Sequence, residues 1–155
     1  MTVSWSLALR DIPRPDFADA TIVALEPTGS TDPAAWARRM FSRRDMPRWV
    51  VAAMAVRQVF VPLLGIARAH SDVFAIREIA EDEVLVAADD RHLDFRCAIA
   101  VDEATRLLRV TTTVRMHGWR GRLYFVPVRI AHPIVVRSMV KAAARSFARD
   151  HARLN

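Results

Sequence analysis

Apolar positions along this chain change their period twice, and the changes divide it into three blocks. In the first, Phe17 to Leu25 alternates as a short strand between Pro13-Arg14-Pro15 and Glu26-Pro27-Thr28-Gly29-Ser30, two loop-forming stretches. Asp32 is a natural N-cap and Pro33 a natural first helical residue, which predicts a helix through Trp36 and Met40 to about Ser42. A second helix starts near Pro47, with Trp49, Ala52, Ala53, Val56, Phe60 and Leu64 as its apolar stripe and Gly65 as its stop. From Val73 to Ile130 the period falls to two, predicting strands at Val73–Ala80, Glu83–Ala88, His92–Val101, Leu107–Met116 and Arg122–Ile130. A helical period returns from Pro133 to Leu154. It sets Val135, Met139, Ala143 and Phe147 on one side and Arg137, Lys141, Arg145, Arg149 and Arg153 on the other.

Short turns between the strands predict an antiparallel meander. A turn at Asp102–Thr105 sets Cys97 opposite Val110, and one at Gly118-Trp119-Arg120 sets Val114 opposite Tyr124. One sheet face then collects Leu93, Phe95, Cys97, Ile99, Leu108, Val110, Thr112, Val114, Tyr124, Val126, Val128 and Ile130. The other carries His92, Asp94, Arg96, Arg109, Thr111, Thr113, Arg115 and Arg129, with Leu123 and Phe125 among them. A one-residue slip would exchange the faces, so the agreement among strands supports the register. The order of elements predicts an α+β fold with two short helices after the first strand. Its curved antiparallel sheet wraps around a long C-terminal helix in a helix-grip arrangement, as a single domain over residues 1–155.

Composition narrows the chemistry more than it defines it. A chain of 155 residues supports one core, and its single cysteine, Cys97, permits neither an intramolecular disulfide nor a cysteine-built metal cage. The five histidines, at 70, 92, 117, 132 and 151, show no metal-ligand spacing, and no Gly-x-Ser-x-Gly or Gly-x-Gly-x-x-Gly is present. Neither a metal nor a cofactor is therefore expected. The net charge of +6 comes from arginine, with Lys141 the one lysine, a bias that reads as the composition of a GC-rich bacterial genome. Basicity alone is compatible with nucleic acid, anionic lipid or acidic small molecules. Without a reading motif or stacking aromatics, nucleic acid is not expected. Arg38, Arg39, Arg43, Arg44 and Arg48, like the basic stripe of the last helix, read as solvated faces, with loose membrane-surface contact the next alternative. The longest apolar window, Trp49 to Ala67, contains Arg57, Gln58 and Pro62, so a buried helix is expected rather than a membrane span. Met1 to Leu9 lacks the basic start of a signal peptide, making the cytoplasm the default location.

Three stretches carry a family resemblance. They are Ala88-Asp89-Asp90-Arg91-His92-Leu93-Asp94-Phe95-Arg96, Thr111-Thr112-Thr113-Val114, and Gly121-Arg122-Leu123-Tyr124-Phe125-Val126-Pro127-Val128 followed by His132-Pro133-Ile134-Val135-Val136-Arg137. Together they resemble the bacterial domain-of-unknown-function family DUF2867, over nearly the whole chain, with Asp90-x-His92-Leu93-Asp94-Phe95-Arg96 the most specific block. Such families are similar to the START-like (SRPBCC) helix-grip superfamily of polyketide cyclases and lipid carriers. That resemblance implies a fold far more than an activity.

Three functions follow as expectations. The first is binding of a small apolar ligand between the sheet and the C-terminal helix, lined by Trp49, Phe95, Thr112, Tyr124, Val126 and Met139, with the two hydroxyls as anchors. At the same positions, plain core packing is the competing reading. The second is a cyclase- or dehydratase-type enzyme with His92 or Tyr124 as acid/base, Asp94 orienting the imidazole and Arg96 holding an anion. Against it stands a solvated outer face laced with ion pairs. The third is an interaction module or homodimer that docks through Leu123 and Phe125 on the polar face.

Overall fold

The computed structural model describes residues 5–60 and 74–154, with the side chains of 56–60 excepted. The elements run α1 (Leu7–Asp11), β1 (Phe17–Ala24), α2 (Pro33–Met40), α3 (Arg48–Phe60), β2 (Ala75–Ile79), β3 (Glu83–Asp89), β4 (Leu93–Asp102), β5 (Leu107–Met116) and α4 (Gly118–Leu154). They form an α+β fold in which a five-stranded antiparallel sheet, ordered β1-β5-β4-β3-β2, packs with a long C-terminal helix.

The meander from β2 to β5 is as the alternation predicts. Cys97 pairs with Thr112, and Ile99 with Val110. The pairing is thus two residues from the expected register, a shift that leaves every side chain on its expected face. One face, with Val84, Val86, Cys97, Ile99, Leu108 and Val110, shares a single core with Trp36, Ala37 and Met40 of α2 and Val136, Met139, Val140 and Ala143 of α4. The helix α2 starts at its predicted cap, where the Asp32 carboxylate accepts a hydrogen bond from the Ala34 amide at 2.8 Å and Pro33 occupies the first turn.

Three expectations are corrected. The strand Arg122–Ile130 does not form, because those residues belong to α4, which starts at Gly118 rather than Pro133. A near-continuous apolar run fits both periods. The deciding fact is that Phe125 and Gly121, four residues apart, are buried together with Val136 and Met139, a helical spacing. Pro127 and Pro133 are carried inside the helix. The edge of β5 expected for that strand is taken by β1, in a register from Phe17 opposite Val114 to Ala24 opposite Leu107.

The second correction concerns α3, expected to be buried along Trp49, Ala52 and Ala53. Val50 is buried and Met54 partly so, while Trp49, Val51, Ala52, Ala53 and Ala55 are exposed. The expected contributions of Val56 and Phe60 as side chains, and of Leu64 and Gly65, fall outside the described residues. The third is α1, unanticipated in the sequence, which covers the middle of the polar sheet face. Ala8 packs there against Leu85 and Ala98, and the Thr113 hydroxyl donates to the Ala8 carbonyl at 3.0 Å.

Candidate functional site

The polar sheet face is a joint rather than an open surface. Arg96, buried on β4, binds Asp11 at the end of α1 and Asp89 at the end of β3, and donates to the Phe95 carbonyl at 2.9 Å. Glu83, also buried, accepts from the Ser6 hydroxyl at 3.0 Å and the Leu7 amide at 2.7 Å, with Arg109 at 3.4 Å. Burying a charge is costly unless it is paired and hydrogen-bonded, and each of these is.

The block Asp90 to Arg96 therefore has a structural account. Asp90 closes the β3–β4 turn, its carboxylate accepting from the His92 amide at 3.1 Å. The His92 carbonyl accepts from the His117 amide at 2.7 Å, and the Asp94 carboxylate lies 3.0 Å from His117 Nε2. Gly121 sits so close to the His92 carbonyl that any Cβ there would collide with backbone, so the first turn of α4 requires glycine to seat on this turn. Asp94 thus faces His117 and Arg96 binds Asp11 and Asp89, while His92 is tied into the turn through its backbone N–H and carbonyl.

The proposed ligand lining is likewise dispersed. Thr112 and Met139 are buried in the packed face, Phe95 is half-buried, Tyr124 is half-buried on α4, and Trp49 and Val126 face outward. Trp36 and Met40 of α2, each with 2% of its surface exposed, occupy the sheet face where an apolar ligand was expected. Phe125, expected on the outside, is buried edge-on against Phe17 with ring centroids 5.1 Å apart; Leu123 is exposed as expected. Cys97 is buried in the core, which pushes its thiol up to about 12 and leaves it unreactive at neutral pH. Among the described residues, no three His, Cys, Asp or Glu side chains come together as a metal site.

His132 of α4 lies under β1, with Phe17 edge-on at 5.4 Å and Asp19 Oδ2 3.3 Å from Nδ1. Burial lowers its pKa from the ordinary value, against the opposing pull of Asp19. The folded protein therefore binds this proton less readily than the unfolded chain. The resulting stability is complete above the ordinary histidine pKa of about 6.5, and is lost as pH falls toward the lowered value. The melting temperature is expected to drop between neutral pH and the mildly acidic range. In His132→Gln, that component of the slope should vanish in pH-dependent thermal melts.

A surface cleft lies between α2, the segment after it, and the last turns of α4. Its volume is about 440 Å³, and it is lined by Arg38, Arg39, Arg44, Arg149 and Arg153 with Asp45, Asp150, Ser146 and Phe147. At its floor the Arg39 guanidinium lies 4.1 Å from the Phe147 ring centroid and donates to the Ser146 hydroxyl at 2.5 Å and the Asp150 carboxylate at 2.6 Å. Ser146, itself buried, donates to Asp45 at 2.8 Å, and Arg149 stands 3.8 Å from Asp45. The hydrogen bond from Arg39 holds the Asp150 carboxyl below its usual range, with Arg153 and Arg44 adding to the effect. Five guanidinium groups against two carboxylates leave the cleft cationic. Both arginine groups are visible in the sequence, but they read there as separate solvated faces. Their meeting depends on how α2 and α4 cross. A second hollow, about 680 Å³ near the β2–β3 and β4–β5 turns, is bordered by Glu81, Asp82, Asp102 and Glu103 with Arg109, and is acidic.

Fold and site together define a small sheet-and-helix domain with a packed apolar core and a basic surface cleft. The chain belongs to the DUF2867 family of proteins of unknown function, whose model matches residues 12–139. No curated protein and no solved structure matches it.

Proposed function

We propose that this domain binds a small anionic molecule, carrying a phosphate or carboxylate group, in the cleft between α2 and α4. The observation that carries the reading is Arg39, whose guanidinium is held 4.1 Å from the Phe147 ring centroid and already grips an oxygen on each of two partners. A guanidinium so held presents the fork that matches phosphate or carboxylate. An incoming anion would displace Asp150, which is exposed, and find Arg38, Arg44, Arg149 and Arg153 around it. The Phe147 ring and Ser146 hydroxyl supply an apolar wall and one orienting polar group, the mixture common to small-molecule sites.

Titration with inorganic phosphate and pyrophosphate, followed by calorimetry, tests this. Saturable binding that Arg39→Gln weakens at least tenfold, in keeping with a charge-assisted hydrogen bond worth roughly 1.5–3 kcal/mol, is the expected result. Binding unchanged in that variant, or absent from the wild type at millimolar anion, would remove the proposal.

A second reading, an apolar ligand held as in START-like carriers, is favoured by one feature. Phe41 stacks on Phe74 at 5.0 Å, Phe74 meets Phe95 edge-on at 5.7 Å, and these rings with Ile76 and Met54 remain only half-buried at the rim of the core. Native mass spectrometry of wild type and Arg39→Gln purified from the protein's own host separates the two, because a metabolite held in the cleft is lost from the variant and one held at the aromatic rim is retained.

A further inference from the structure

The first half of α4 shows water a surface that its own core does not use. Trp119, Leu123, Val126, Ile130 and Ile134 recur every three or four residues, each more than half exposed. They form one stripe along the helix, facing away from the buried line of Gly121, Phe125, Val136 and Met139. The helix contains an 18-residue window of mean hydropathy 1.3, of which only 22% is buried. Scattered exposed apolar residues are ordinary, but five on one helical line form a patch of the kind that marks a contact.

The charges around the stripe identify the contact. Between Gly118 and Arg149 there are seven basic residues and no acidic one. By the helical repeat, Arg122 and Arg129 border the stripe on one side and Arg120 on the other, while Arg137, Lys141 and Arg145 continue its line toward the C-terminus. All six are exposed. Trp119 stands at the N-terminal end, with the Arg120 guanidinium 5.5 Å from its ring.

We infer that α4 lies along an anionic lipid bilayer surface, with the Trp119-to-Ile134 stripe seated among the acyl chains and the flanking arginines on the headgroups. An apolar stripe bordered by cations, with an aromatic at one end, is the pattern of an interfacial helix. A second copy of the chain is a poorer occupant, because two such helices would bring their uncompensated cations together. A spanning helix is excluded by the opposite face, since Val136, Met139, Val140 and Ala143 are part of the protein core.

Co-sedimentation with phosphatidylcholine vesicles containing phosphatidylglycerol, against pure phosphatidylcholine, tests the inference. The protein is expected to bind the anionic vesicles and to leave the neutral ones at least tenfold less occupied. Arg129→Gln should weaken binding about fivefold, the effect of one basic residue at such a surface. Ile130→Asp should abolish binding with its melting temperature unchanged, because Ile130 is 73% exposed. Arg39→Gln should bind vesicles like the wild type, which separates this surface from the cleft. Equal binding to both vesicle types, no binding to either, or wild-type behaviour of Ile130→Asp would overturn the inference. So would loss of vesicle binding in Arg39→Gln, or a concentration-dependent dimer that Ile130→Asp dissolves.

Discussion

Trp36→Ala is expected to cost about 3–5 kcal/mol, the range for removing a large buried aromatic, and to lower the melting temperature by roughly 10 °C. Trp36 is the side chain around which α2, the sheet and α4 close. Its ring lies 4.9 Å from Phe147 of α4, its indole N–H donates to the Ser30 carbonyl at 2.7 Å, and a Cβ on Gly29 would come to 3.4 Å from it. Truncation removes these contacts and leaves the Ser30 carbonyl without its donor. It also opens a void in the apolar core to which Val84, Val86 and Ile99 belong, large enough for a small apolar molecule. The variant, if it remains folded, should therefore take up a small apolar probe that the wild type refuses. Denaturant unfolding and probe fluorescence read the two effects separately. A change in stability below about 1 kcal/mol, well under the roughly 3–5 kcal/mol for deleting a buried aromatic, would mean that α2 does not fill the sheet face.

Arg96→Ala should be the next most damaging change, at about 2–3 kcal/mol. Breaking a buried ion pair by deleting one partner ordinarily costs 3–5 kcal/mol. The lower figure applies because Asp11 and Asp89 are partly exposed, with 34% and 48% of their side-chain surface accessible, so water can resolvate them. The consequence should be local as well as global. Arg96 ties Asp11, and hence α1, to the polar face, so amide exchange at Ala8, whose N–H is capped by Ser6 at 3.3 Å, should rise before that of β4 and β5. Arg96→Lys should rescue little, because one ammonium cannot reproduce a fork that holds two carboxylates and the Phe95 carbonyl. If the melt is unchanged, the ion pairs are incidental. If exchange rises uniformly, α1 is not what they hold.

These two residues show where the sequence was readable. Trp36 could be placed in a helix by the Asp32-Pro33 start, a local signal that survived into the structure, but its position under the sheet depends on the packing of α2. Arg96 was placed on the correct strand face, the one that it shares with Asp94 and Thr113, but two residues out of register with β5. Reading that face as solvated missed the burial of Arg96 and Glu83, because their cover, α1, is only five residues long and carries too few turns for a periodic signal. The apolar stretch from Leu123 to Ile130 failed for another reason. Alternating and helical patterns coincide when nearly every position is apolar, and only burial separates them: Phe125 inward, Val126 and Ile130 outward.

By itself the sequence determined the elements whose signals are local and redundant. The strands from Ala75 to Met116, the cap of α2 and the amphipathic second half of α4 follow from side-chain period and from backbone groups that must be capped. Tertiary structure alone decided which elements cover which surfaces. The place of β1 beside β5, the burial of Arg96 and Glu83 beneath α1, and the meeting of Arg39 with Ser146 and Asp150 join residues some 70 to 110 positions apart. The reason is physical. A hydrogen-bonding edge, a buried charge or a cationic cleft gains its energy from partners that the chain brings together only by folding, and no local pattern records which partner each will meet.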